Sequence, residues 1–345
     1  MKAIVIRAPG DASVLQIEDV AVPIARDGEA IIAVESCGVC FHEIVVRNGT
    51  LKAGVELPLI PGHEVAGKIV SLSGDAQGFV VGDRVATTQR SHICGHCSWC
   101  RSAREPLCDD ALFMGDRGLN GGYAEFVCVG IDNLVHIPEG VTMEHASIAA
   151  CAIGTVLHAV RDVGEARAAD TVLVTGAGGG LGVHAVQLAR LSGARVIAQT
   201  TSPAKVDLLA EAGAHDVIVS ARGSDFSLDA RRLTDGRGVD CVIDTVGTPL
   251  FSPTRKSLAK AGRWVLVGQL TGDFVPFNPA QLFLRNISML SATSTTRQGL
   301  AETLALIAQG AIRPSIHDVL PLADARSAHR MLETGSVSGR LVLRP

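Results

Sequence analysis

The chain has 345 residues and a mass of 35.9 kDa, enough for about two domains that each bury a core. Lys plus Arg number 31 against 35 for Asp plus Glu, a net charge of −4 with no run of like charges, which argues against a nucleic-acid or anionic-membrane surface. No stretch of about 18 apolar residues occurs, so no membrane-spanning helix is expected.

The opening residues 1–7 place a basic side chain before a short apolar run, too short for the core of a signal peptide, and they read as a first strand. Up to about residue 150 the apolar runs are short and broken by Gly and Pro, as at 30–34, 65–71 and 84–87, the pattern of an irregular, mainly β body. From 171 onward strands and helices alternate. Strands are predicted at 171–175, 195–199, 216–219, 239–244 and 263–267. Helices are predicted from the Gly-rich turn through Arg190, then at 204–212, 227–233 and 253–260. This alternation predicts an α/β doubly wound parallel sheet with helices on both faces. The tail after about 290 holds one predicted helix, 298–309, and a final strand, 340–343. The expected organisation is therefore a first domain at 1–150, a dinucleotide-type domain at 151–290, and a return of 291–345 to the first domain.

Nine cysteines, an odd number, without an export signal point to thiols and metal in a reducing, cytoplasmic setting. Cys94, Cys97, Cys100 and Cys108 have the spacing C-x2-C-x2-C-x7-C, in a lobe at about 92–110. Four thiolates close a tetrahedral cage around one zinc ion and leave no open position, which makes the site structural. Redox-active thiols and an iron–sulfur cluster are the rival readings, and the long last gap disfavours the cluster. His96 is a spare ligand that four sulfurs make unnecessary. A second set is dispersed: Cys40, His63-Glu64 and Cys151. Two thiolates and an imidazole make a three-ligand zinc site with one position left for water or substrate. Each member alone also suits a bland role, as a small buried filler or a turn, and Cys37, Cys128 and Cys241 read as core residues.

After the 171–175 strand comes Gly176-Ala177-Gly178-Gly179-Gly180-Leu181-Gly182. A strict GxGxxG does not fit from Gly176. The relaxed form Ala177-x-Gly179-x-x-Gly182 does, and it lets the backbone approach a pyrophosphate at a helix N-terminus. The second strand leads into Thr200-Thr201-Ser202-Pro203-Ala204-Lys205. No acid stands there to bind a ribose 2′-hydroxyl, while three hydroxyls and an ammonium tolerate a 2′-phosphate, so NADP(H) is expected in preference to NAD(H).

Together these motifs resemble the zinc-containing medium-chain dehydrogenase/reductase family, which includes the zinc alcohol dehydrogenases. The resemblance runs end to end through Gly38-Val39-Cys40, Pro61-Gly62-His63-Glu64-Val65-Ala66-Gly67, Gly82-Asp83-Arg84-Val85, the four-Cys lobe, Gly121-Gly122-Tyr123-Ala124-Glu125, Cys151, the Gly-rich turn and Asp244-Thr245-Val246-Gly247. It implies a GroES-like catalytic domain beside the Rossmann domain. It also implies two zinc ions per chain: a catalytic one on Cys40, His63 and Cys151 with Glu64 as alternate ligand, and a structural one on the four-Cys lobe. The cofactor would meet Ala177, Gly179, Gly180, Leu181, Gly182, Thr200, Thr201, Ser202, Lys205, Val246 and Gly268. A small-molecule substrate and a homodimer or homotetramer are further implications.

The departures narrow the activity. His42 stands where the family carries a Ser or Thr proton relay, and an imidazole can shuttle that proton or turn away into a hydrogen bond. Phe41 replaces a basic or polar residue, and Leu51 and Gln89 hold positions of pocket aromatics, so a more open or polar pocket is expected. The expected function is alcohol dehydrogenase or carbonyl reductase, with zinc as Lewis acid. The alternative is an NADPH-dependent reductase of a conjugated C=C bond, because residues 174–185 and 244–249 look closer to quinone and acryloyl-CoA-type reductases. A non-catalytic dinucleotide-binding protein does not need an open metal site, and a zinc-ribbon nucleic-acid module does not suit the acidic charge.

Overall fold

A computed structural model describes residues 1–51, 55–116 and 119–345. The chain divides into two units, Met1–Gly154 with Ser294–Pro345, and Thr155–Thr293. The division falls after Gly154 rather than after 150, which keeps Cys151 with the first unit.

In the first unit the eleven-residue strand Glu29–Val39 is the spine. It pairs antiparallel with Val65–Leu72, Phe126–Gly130 and Arg340–Arg344. Register shifts at Ile31/Ile32 and Val34/Ser36 bend it, as bulges do. The last strand comes from the far end of the chain: Leu341 pairs with Val39 and Leu343 with Cys37. Val39 leads directly into Cys40 and the helix Phe41–Arg47, so the bent spine delivers a candidate ligand to a helix N-terminus. Ile32, Val34, Val65, Tyr123, Val127, Leu341 and their neighbours form the buried core behind it.

The second unit is a six-stranded, all-parallel sheet. Its order is Asp216–Val219, Arg195–Thr200, Thr171–Thr175, Val239–Asp244, Leu258–Leu266, Ser288–Ser291. Thr171–Thr175 is buried at every position, as a central strand covered on both faces must be. The chain leaves it toward Arg195–Thr200 on one side, while Val239–Asp244 lies on the other, so the strand order reverses there. Ligands of open α/β sheets bind outside the strand ends at such a reversal.

Two elements differ from the sequence-based expectation. The helix expected at 253–260 is Phe251–Ser257, and Leu258 already pairs with Val239 in the sheet. Its backbone is extended (φ −65°, ψ 146°), and Leu258 is buried in the core where a helix would have carried it off. The tail holds a second helix besides Arg297–Ala308, namely Ala325–Thr334. Its buried stripe, Ala325, Ala328 and His329 with Met331 and Leu332 partly buried beside them, repeats at the helical period, and Gly335 closes it in the left-handed conformation.

Candidate active site

The sulfur of Cys40, a ring nitrogen of His63, a carboxylate oxygen of Glu64 and the sulfur of Cys151 lie within 4.8 Å of one another, and all four residues are buried. Each arrives on a different device. Cys40 caps the helix Phe41–Arg47. Its N–H donates to Glu43 Oε2 at 2.8 Å, in a capping-box arrangement. His63 and Glu64 precede the strand Val65–Leu72. Cys151 sits in the π-helical stretch Ala149–Gly154, a rare geometry that recurs at functional sites.

Charges surround this set in a definite order. Glu43 Oε1 pairs closely with His63 Nδ1, which turns Nε2 toward Glu64 at 3.7 Å. A carboxylate behind a ligating imidazole fixes its ring and tautomer. Arg340 pairs with Glu64 through Nη2 and Nε, the latter at 3.2 Å, and its Nη2 also donates to Cys151 Sγ at 3.4 Å. The Cys40 thiol is held well below its ordinary range by the hydrogen bond it shares with Cys151 Sγ at 3.9 Å, and by Arg340 and His63. Cys151 is pushed up by that same hydrogen bond and by burial. Burial raises Glu64 to about 7 against the pull of Arg340. Burial disfavours the His63 cation, yet Glu43 and Cys40 outweigh it and raise that imidazole. Two thiols, one imidazole and one carboxylate suit a zinc ion, and their buried convergence is otherwise costly.

The His42 and His63 rings stand perpendicular, with centroids 5.3 Å apart, and the Phe113 centroid lies 5.0 Å from both. His42 Nε2 is 3.8 Å from the Asp116 carboxylate and has no hydrogen-bond partner among the described residues. Burial lowers its pKa, helped by His63 and opposed by Glu43, Cys40 and Asp116. Gln89 is buried, and its Oε1 accepts from Ser294 Oγ (2.6 Å) and Thr295 N (3.3 Å). That oxygen holds the 294–295 segment.

Behind the site Tyr123 lies against Gly62, where a side-chain carbon would fall 2.5 Å from its ring. Its hydroxyl is 3.2 Å from His329 Nε2, and His329 Nδ1 is 3.3 Å from Arg47 on the helix that Cys40 caps. Arg47 pairs onward with Glu333. Sequence reasoning named neither this brace nor Glu43 and Arg340. Glu43 had one legible signal, its place three residues after the cap, whereas Arg340 lies 276 residues from Glu64.

The four-Cys lobe gathers its sulfurs within 4.8 Å. Backbone N–H groups of Cys94, Cys97 and Cys100 donate to Cys108, Cys94 and Cys97 sulfurs at 3.4, 3.3 and 3.5 Å. Backbone donors, first that of Cys100, bring Cys97 down to about 7, as a thiolate ligand requires. His96 stays outside the set, its Nδ1 2.8 Å from Cys94 O.

In the second unit the Gly-rich turn ends at the helix Gly182–Leu191. A side-chain carbon on Gly182 would lie 2.6 Å from Ala177 Cα, so only glycine allows this approach. Gly179, Gly180 and Leu181 are partly exposed and Ala177 is buried beneath them. Lys205 folds over the turn, its Nζ 3.4 Å from Gly178 O. Thr200 is buried and its Oγ1 accepts from Ser202 N at 3.3 Å, while Thr201 is exposed. Val246 and Gly268 are partly exposed beside the end of Val239–Asp244, and Gly268 N donates to Asp244 O at 3.2 Å.

Residues 26–139 match the alcohol dehydrogenase GroES-like domain, and residues 180–309 match the zinc-binding dehydrogenase family. The chain belongs to the zinc-containing medium-chain dehydrogenase/reductases. It is an oxidoreductase of that zinc-binding family. It is 31% identical to an acryloyl-coenzyme A reductase of Sulfurisphaera tokodaii over the full length of both chains. It is 33% identical to an NAD-dependent alcohol dehydrogenase of Sulfolobus acidocaldarius, covering 100% of this chain and 99% of the other. The crystal structure of AibC superposes with a TM-score of 0.92 at 45% identity, covering 100% of this chain and 96% of that one. No helix among the described residues is long and apolar enough to cross a membrane.

Proposed function

We propose that the protein is a zinc-dependent alcohol dehydrogenase or carbonyl reductase that exchanges a hydride between NADP(H) and an alcohol, aldehyde or ketone. The carrying observation is the buried convergence of Cys40, His63, Glu64 and Cys151. Zinc held there supplies Lewis acidity to a substrate oxygen, and the dinucleotide supplies or accepts the hydride. Cys40, His63 and Cys151 are its ligands. Glu43 holds the His63 ring, and Arg340 holds Glu64 back as an alternate ligand. His42, with its unpartnered Nε2, is the residue placed to hand a proton to or from the substrate oxygen. Exchanging it for Gln should lower turnover about 100-fold while zinc content and cofactor binding stay unchanged.

In the second unit Ala177, Gly179, Gly180, Leu181 and Gly182 cradle the pyrophosphate, with Val246 and Gly268 across the strand ends. Thr200, Thr201, Ser202 and Lys205 form the ribose end. The strand Arg195–Thr200 ends without a carboxylate, which supports NADP(H) over NAD(H). The lobe cysteines Cys94, Cys97, Cys100 and Cys108 hold a second, structural zinc. Among the described residues Ser288–Ser291 has a strand neighbour on one side only, and Phe283 and Leu284 nearby are exposed, which supports assembly into a homodimer or homotetramer. A cytoplasmic setting is supported by the nine cysteines, which form no disulfide among the described residues.

A second reading, reduction of a conjugated C=C bond, is favoured by the likeness to acryloyl-coenzyme A reductases. Product analysis after NADPH turnover of an enal separates the two. An allylic alcohol supports carbonyl reduction; a saturated aldehyde overturns it in favour of the second reading.

A further inference from the structure

Asp244 ends its strand fully buried beside the sheet's reversal point. Its Oδ1 accepts from Thr175 Oγ1 at 2.7 Å and from the N–H groups of Val246 and Gly247, both at 3.0 Å. Its Oδ2 accepts from Trp264 Nε1 at 3.0 Å. None of these four donors is charged. Its backbone oxygen takes the N–H groups of Val267 and Gly268 at 2.9 and 3.2 Å. Thr175 completes the knot: its Oγ1 accepts from Thr245 N (3.2 Å) and its carbonyl accepts from Thr245 Oγ1 (2.8 Å). One residue thus ties together the carboxyl ends of three adjacent strands.

The group must be a carboxylate because every neighbour donates. An amide of the same shape turns one N–H toward a donor whichever way it is placed, and a buried donor is left unsatisfied. What the knot positions is the loop 245–247, which meets the start of the Gly-rich turn. At Gly176 (φ +59°) a side-chain carbon would lie 2.7 Å from Val246 Cγ2 and 2.8 Å from Thr245 Oγ1. The two lips of the crevice therefore touch, and the Val246 and Gly247 amides are already committed to Asp244.

We propose that Asp244 is a positioning residue for the dinucleotide: it fixes loop 245–247 against Gly176 at the separation the cofactor requires. This rests on the cofactor reading given above. The test uses Trp99→Phe protein, in which Trp264 is the remaining tryptophan, titrated with NADPH and with NADH. Asp244→Asn should keep its zinc and fold, shift the Trp264 emission, and weaken NADPH binding about tenfold or more. Turnover at saturating cofactor and KM for the carbonyl substrate should stay within about twofold of the parent. Should Asp244→Asn not fold, Thr175→Val decides, with an expected weakening of about threefold to tenfold. A folded variant that binds NADPH as tightly as the parent overturns the proposal. A parent that binds neither nucleotide overturns the cofactor reading itself.

Discussion

Replacing Arg340 with Met removes the cation that faces Glu64 and Cys151. Arg340 is 5% exposed at its side chain and Glu64 0%, so water cannot take over the lost contact. Breaking a buried ion pair on one side costs about 3–5 kcal/mol where the other group stays charged and unpaired, so the comparison is made at a pH well above the Glu64 value of about 7. The first unit, Met1–Gly154 with Ser294–Pro345, has about 200 residues, for which 1 kcal/mol moves Tm by about 2–4 °C. Arg340→Met should therefore lower the first unit's transition by roughly 6–20 °C. The assay is differential scanning calorimetry at one fixed zinc concentration, since a ligand of the folded state adds its own stabilisation. The double variant Arg340→Met, Glu64→Leu removes both charges and should recover most of the loss. A single-variant shift under about 2 °C, or two losses that simply add, would refute the idea that Arg340 and Glu64 act as one buried pair.

Further outcomes follow from the same geometry. Cys97→Ser should remove the lobe's zinc, read by metal analysis, and leave the Cys40 site loaded; loss of both ions together would contradict two independent sites. His329 is held near 4 by burial, and its ordinary value is 6.5. The unfolded imidazole thus takes a proton first, so stability present above pH 6.5 is lost as pH falls toward 4, by about 3 kcal/mol at most. His329→Gln should flatten that slope relative to the parent in urea denaturation, and an identical slope would remove the brace from the account. Thr200→Asp should shift cofactor preference toward NADH by about tenfold or more in KM ratios, since a carboxylate there repels a 2′-phosphate. An unchanged ratio would mean that this strand end does not choose the cofactor.

Local chemistry was legible where the sequence itself carried the spacing. The lobe cysteines lie within 15 residues and their sulfurs converge as that spacing predicts. The parallel sheet was legible because each buried strand is followed by a helical period. Contacts made across the chain were not. Arg340 reaches Glu64 only because the last strand pairs with Glu29–Val39, a register no local pattern encodes. His329 belongs to a helix whose amphipathic period is legible in 325–334, but its partners Tyr123 and Arg47 lie 206 and 282 residues away, so no local pattern announces the brace.

The most direct test of the central claim is zinc stoichiometry and turnover of Cys40→Ala, measured on the same sample. The account predicts loss of one zinc ion of the two, intact NADPH binding and fold, and turnover reduced by about a thousandfold or more. Unaltered turnover with one zinc ion gone would contradict it, because the buried set around Cys40 would then hold a metal that the reaction does not use.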